Sequence, residues 1–128
     1  MPEITATLSL SSERIRAFTY NELEMKLSVT TNDSELYWVE CIYDVPAPLS
    51  LAPDKSLTTA KSLVGILQRG EAREKRVKIY ASNEVYPNTY TIKVTLYLYD
   101  KDGAISERKE YTKEIECGEG NAQVLQSP

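Results

Sequence analysis

The sequence contains no histidine. That removes the commonest general base and the commonest zinc ligand together, and most hydrolase triads go with them. Only two cysteines are present. A chain of 128 residues needs no staple, because at this length folding buries roughly two-thirds of the surface the unfolded form exposes. No run approaches the roughly 18 apolar residues that span a bilayer, so no membrane insertion is expected. Met1 to Leu10 alternates polar and apolar residues instead of placing a charged start before an apolar stretch, so no signal peptide is visible. The expected compartment is the cytoplasm by default, or the exterior if the chain is a fragment of an exported protein. Positive charge is in deficit, with 15 basic residues against 19 acidic and a net charge of -4. Tracking a phosphate backbone is therefore not expected, and neither is a nucleic-acid partner. What remains, 41% hydrophobic and 27% charged, suits a single soluble globular domain.

The dominant pattern has a period of two. Ile4, Ala6, Leu8 and Leu10 alternate with polar residues, as do Leu23, Met25, Leu27 and Val29. Each set reads as a strand with one buried face. The clearest case is Tyr90 to Tyr99, where Tyr90, Ile92, Val94, Leu96 and Leu98 oppose Thr91, Lys93, Thr95, Tyr97 and Tyr99. Asp100-Lys101-Asp102-Gly103 predicts a hairpin turn, and Ile105 to Cys117 the returning strand. Ser11 to Asn21 reads as a short edge segment and a turn. Leu49 to Val64 reads as a loop or short edge strand, Leu63 to Leu67 as a brief strand, and Val77 to Ala81 as another. No window has sustained helical periodicity, no internal repeat is present, and the chain from Gly118 is polar. The expectation is all-β: an antiparallel β-sandwich of about seven strands over residues 1–117, with a flexible tail at 118–128.

The order of turns carries a resemblance. The polar turn Thr31-Asn32-Asp33 leads to a strand ending Val45-Pro46 and a loop with Leu49-Ser50-Leu51. Then come Gly65-Ile66-Leu67-Gln68-Arg69-Gly70-Glu71, Val77 to Tyr80, and Tyr86-Pro87-Asn88-Thr89-Tyr90 ahead of Asp100-Lys101-Asp102-Gly103. This resembles the immunoglobulin-like modules of the CARDB type and the related modules of archaeal surface-layer proteins and glycoside hydrolases. The resemblance covers about residues 4 to 117. Arg69-Gly70 stands where the family has Pro-Gly, and Pro87-Asn88-Thr89-Tyr90 where it has Pro-Gly-Thr-Tyr. It implies that the sandwich is immunoglobulin-like and that it serves as a non-catalytic spacer or adhesive domain.

The candidate sites are few. Tyr90, opening a long central strand, is placed to return its hydroxyl to nearby backbone as a tyrosine corner. Cys41 and Cys117 fall on strands separated by a third, too far apart to bridge, and are expected as free buried thiols. Asp100 and Asp102 open like a calcium loop, but Ala104 stands where the next ligand would be, so a turn is expected and no metal. The charge run from Arg69 to Lys78 mixes signs and reads as a solvated edge. Leu36 to Val45 is apolar at both parities. With Val39, Cys41, Tyr43 and Val45 inward, as the family pattern implies, Leu36, Trp38 and Ile42 face outward, and Trp38 and Ile42 lie beside Tyr97 and Tyr99, forming an aromatic interaction face. In the opposite parity Trp38 is a core tryptophan. A third arrangement has the loop Leu49 to Leu63, or Val124 and Leu125, covering the patch. The face suits a protein partner or self-association, with carbohydrate stacking as the alternative; no cofactor is implied.

Overall fold

The computed structural model describes residues 4–31 and 36–118. Among these residues nine strands are formed: β1 (Ile4–Leu10), β2 (Arg14–Arg16), β3 (Asn21–Thr31), β4 (Tyr37–Asp44), β5 (Leu49–Ser50), β6 (Thr59–Leu67), β7 (Ala72–Ala81), β8 (Asn88–Tyr99) and β9 (Ile105–Gly118). The strict alternators become the walls of the core. Leu23, Met25, Leu27 and Val29 of β3 are buried, as are Tyr90, Ile92, Val94, Leu96 and Leu98 of β8. These rows belong to two stacked sheets of order β1-β3-β7-β5 and β2-β9-β8-β4-β6. The molecule is thus an all-β, immunoglobulin-like sandwich, antiparallel except where β2 runs parallel to β9.

The strand count is nine rather than about seven, since β2 and β5 span three and two residues, too few for a period to register. Strand β6 begins at Thr59, so the stretch Leu49 to Val64, expected as a loop or short edge strand, divides into β5, a loop and the start of an edge strand. The charge run lies on β7, where Glu74, Arg76 and Lys78 form a ladder of exposed ion pairs with Lys26, Glu24 and Glu22 of β3. Its alternate residues Arg73 and Lys75 point toward the core side and are only half-buried, so their aliphatic stems cover apolar surface while their charges reach water. Cys41 on β4 and Cys117 on β9 are free and buried, with β8 between them. Burial raises both thiols above their ordinary titration range. Gly118 closes β9. Val124, Leu125 and the rest of the tail beyond Gly118 lie outside the described residues.

Candidate interaction face

Strand β4 sits between β8 and β6 with Tyr37, Val39, Cys41 and Tyr43 buried inward, which turns Trp38 to the outer face at 48% exposure. Of the two parities open to Leu36–Val45, the inward set implied by the family pattern is the one adopted. Its outer neighbours follow from the pairing. Trp38 lies opposite Tyr99 of β8 on one side and Ile66 of β6 on the other, and Tyr99 lies opposite Ile105 of β9. A row Ile66–Trp38–Tyr99–Ile105 therefore crosses four strands at right angles. Ile66 and Ile105 are 45% and 59% exposed.

The next row is Leu63–Glu40–Tyr97–Arg108. Leu63 is 47% exposed, whereas Tyr97 lies under the guanidinium of Arg108, 5.9 Å from its ring centroid, with Arg108 Nε 3.4 Å from the Tyr97 hydroxyl. A third row, Lys61–Ile42–Thr95–Glu110, is more polar, and Ile42 is half-buried in it. Apolar character thus falls off along the strands, from the end carrying the β8–β9 turn toward the charged end.

Four residues were expected on this face: Trp38, Ile42, Tyr97 and Tyr99. The pairing places all four on the outer surface, but only Trp38 and Tyr99 belong to the apolar row. Leu63, Ile66 and Ile105 were missed. The signal for the first two was present in Leu63-Val64-Gly65-Ile66-Leu67, apolar at both parities as β4 is. A bulge decides their facing: Val39 pairs with Gly65 and Glu40 with Leu63, leaving Val64 as the extra residue. Leu63 and Ile66, three apart, consequently share a side.

Beside the row lies an open concavity of about 590 Å³ lined by Trp38, Glu40, Tyr99 and the turn Asp100-Lys101-Asp102-Gly103. The hydrogen-bonding reach of the Glu40 carboxylate holds the Tyr99 phenol above its ordinary value. Glu40 also faces Lys61 at 3.7 Å. Asp100 is occupied locally: one carboxylate oxygen accepts from the backbone N–H groups of Asp102 and Ala104 at 2.9 and 3.1 Å, while Gly103 takes φ +82°. The expected turn is therefore formed. Among the described residues, no three His, Cys, Asp or Glu side chains are grouped to hold a metal ion. Tyr90 faces the core, and its hydroxyl donates to the carbonyl of Tyr86 at 2.6 Å, four residues upstream.

No family model matches the chain, and no curated protein matches it. Among solved structures, a CARDB domain from Pyrococcus furiosus, in complex with di-metal ions, is similar over 91% of this chain and 88% of its own. The TM-score is 0.57 and the identity 12%. An alkylpurine DNA glycosylase from Pseudomonas fluorescens, bound to DNA containing an abasic site analog, is similar over 91% of this chain but only 30% of its own, with TM-score 0.51 and 11% identity. At these identities the similarity concerns the fold, and the fold is CARDB-like.

Proposed function

We propose that the chain is a non-catalytic interaction module that packs the outer face of its five-stranded sheet against an apolar surface of a protein partner. One observation carries this reading: the in-register row Ile66–Trp38–Tyr99–Ile105, three of whose members are about half exposed. Isolated exposed apolar residues are ordinary, but a contiguous row with a tryptophan at its centre and a polar rim has the composition of a binding hot spot. The lack of histidine supports a binding role over a catalytic one.

The test uses a photo-crosslinking amino acid placed at Ile66, with a control at Ser28 on the outer side of the four-stranded sheet. In the source cell, position 66 gives a discrete protein adduct that Trp38→Ala abolishes, and position 28 gives none. An adduct insensitive to Trp38→Ala, or none at all, overturns the reading. Carbohydrate stacking is the second reading, favoured by Trp38 and Tyr99 flanking a concavity that also holds Glu40, Asp100 and Asp102. It requires polysaccharide affinity that Trp38→Ala removes, and silence across a glycan panel excludes it.

A further inference from the structure

Two stacked sheets that do not close into a barrel leave strand edges whose N–H and C=O groups another chain can pair with. Most long edges here are blunted. Strand β6 has the Val64 bulge and Lys61, and the part of β9 not covered by β2 is dense in charge, with Glu107 and Lys109 turned toward the core side. The part of β7 beyond β5 carries Arg73, Glu74, Lys75, Arg76 and Lys78. Strand β1 has none of these devices. Its sequence ITATLSL holds no charge, proline or glycine, and it pairs with β3 through seven consecutive residues without a bulge.

The direction of its free groups can be read from its ends. Ser11 N–H donates to the Glu24 carbonyl at 2.8 Å, extending the ladder toward β3, whereas the Ile4 carbonyl accepts from Lys109 Nζ at 3.5 Å. Because hydrogen-bonding direction alternates along an antiparallel strand, Thr5, Thr7 and Ser9 bond β3, and the main-chain groups of Ile4, Ala6, Leu8 and Leu10 point out of the edge.

We infer that β1 pairs antiparallel with β1 of a second copy, about a two-fold axis at Thr7, so that two four-stranded sheets become one of eight. This register sets Ala6 against Leu8 and Ile4 against Leu10 as hydrogen-bonded pairs: the outward main-chain groups of Ala6, Leu8 and Leu10 are free among the described residues, and at Ile4 the N–H of Leu10 from the second copy takes the place of Lys109 Nζ on the carbonyl. Thr7 meets Thr7, and Thr5 meets Ser9, at the closer non-hydrogen-bonded positions where hydroxyl side chains pair well. Inward, the half-buried Ala6 and Leu10 gain a neighbour from the other copy. A second copy is the fitting occupant because the strand is its own complement: uncharged against uncharged, all seven residues used, and no like charges opposed. The nearby free length of β9 is of mixed sign, so two copies approach without a one-signed field between them.

Sedimentation velocity over a dilution series and hydrogen exchange of the full chain test this. The dimer dissociates on dilution, and the amides of Ala6, Leu8 and Leu10 exchange more slowly as concentration rises, while Thr5, Thr7 and Ser9 are protected throughout. Thr7→Lys opposes two ammonium groups at the axis. Ala6→Pro deletes a donor that the intramolecular ladder does not use. Each weakens dimerisation roughly tenfold or more without altering the circular dichroism of the dilute protein. A chain that stays monomeric at millimolar concentration overturns the inference. So does a dimer indifferent to both variants, or one lost only with Trp38→Ala, which would assign self-association to the outer sheet face instead.

Discussion

Tyr90 and Trp38 show how differently two aromatic residues are constrained in the same sheet. Tyr90 is 2% exposed, and its one polar atom has one partner, the Tyr86 carbonyl. Tyr90→Phe therefore removes that bond and little volume. Urea denaturation is expected to show a loss of about 0.5–1.5 kcal/mol with an unchanged m-value; no loss would mean the bond merely replaces one with water. This role was legible in the sequence, because a tyrosine opening a strict alternator can face only one way. Trp38 was not, because its strand offers apolar residues on both sides and so does not specify its own register. The buried hydroxyl of Tyr43 has no nitrogen or oxygen partner among the described residues, and desolvation, with the Cys41 thiol beside it, raises its titration well above that of an ordinary phenol.

At the level of elements, the bulge in β6 decides the composition of the outer face. Gly65 takes φ +133°, a conformation that L side chains rarely adopt. A Cβ there would sit 3.6 Å from Arg73 Cδ and Nε, ordinary contact, so the cost of Gly65→Ala comes from the backbone and not from collision. We expect a destabilisation of about 1–3 kcal/mol in thermal or urea unfolding. An unchanged midpoint would show that the bulge tolerates an L residue. The glycine was visible in the sequence, yet a five-residue apolar stretch does not announce which of its members is the extra one. Strands β2 and β5 were legible only coarsely, as a short edge segment within Ser11 to Asn21 and as part of a loop or short edge strand over Leu49 to Val64, for a simpler reason. They exist because neighbours hold them: β2 lies along the end of β9, and β5 is tied to its loop by the Ser50 hydroxyl, which accepts from Ala52 and Leu57 N–H and donates to the Lys55 carbonyl.

Across the whole molecule, one continuous core joins both sheets, and its two thiols have a consequence for pH. Both cysteines titrate higher when folded because burial disfavours the thiolate. The unfolded chain therefore releases these protons first as pH rises. Their contribution to stability is complete below the unfolded thiol value of about 8.5 and declines above it. The midpoint of unfolding is expected to fall from about pH 8.5 upward, less so in Cys41→Ala; a flat profile to pH 10 would contradict this. The exposed ladder joining β3 to β7 should matter little here, since ion pairs open to solvent are screened and give up side-chain freedom to form. By itself, the sequence determined the β class and the facing of β3 and β8, since strict alternation of polar and apolar residues leaves a strand one way to bury itself. The tertiary structure decided the facing of β4 and β6. Where both parities are apolar, local pattern is degenerate, and the choice falls to whichever set the opposing sheet and the Val64 bulge can enclose.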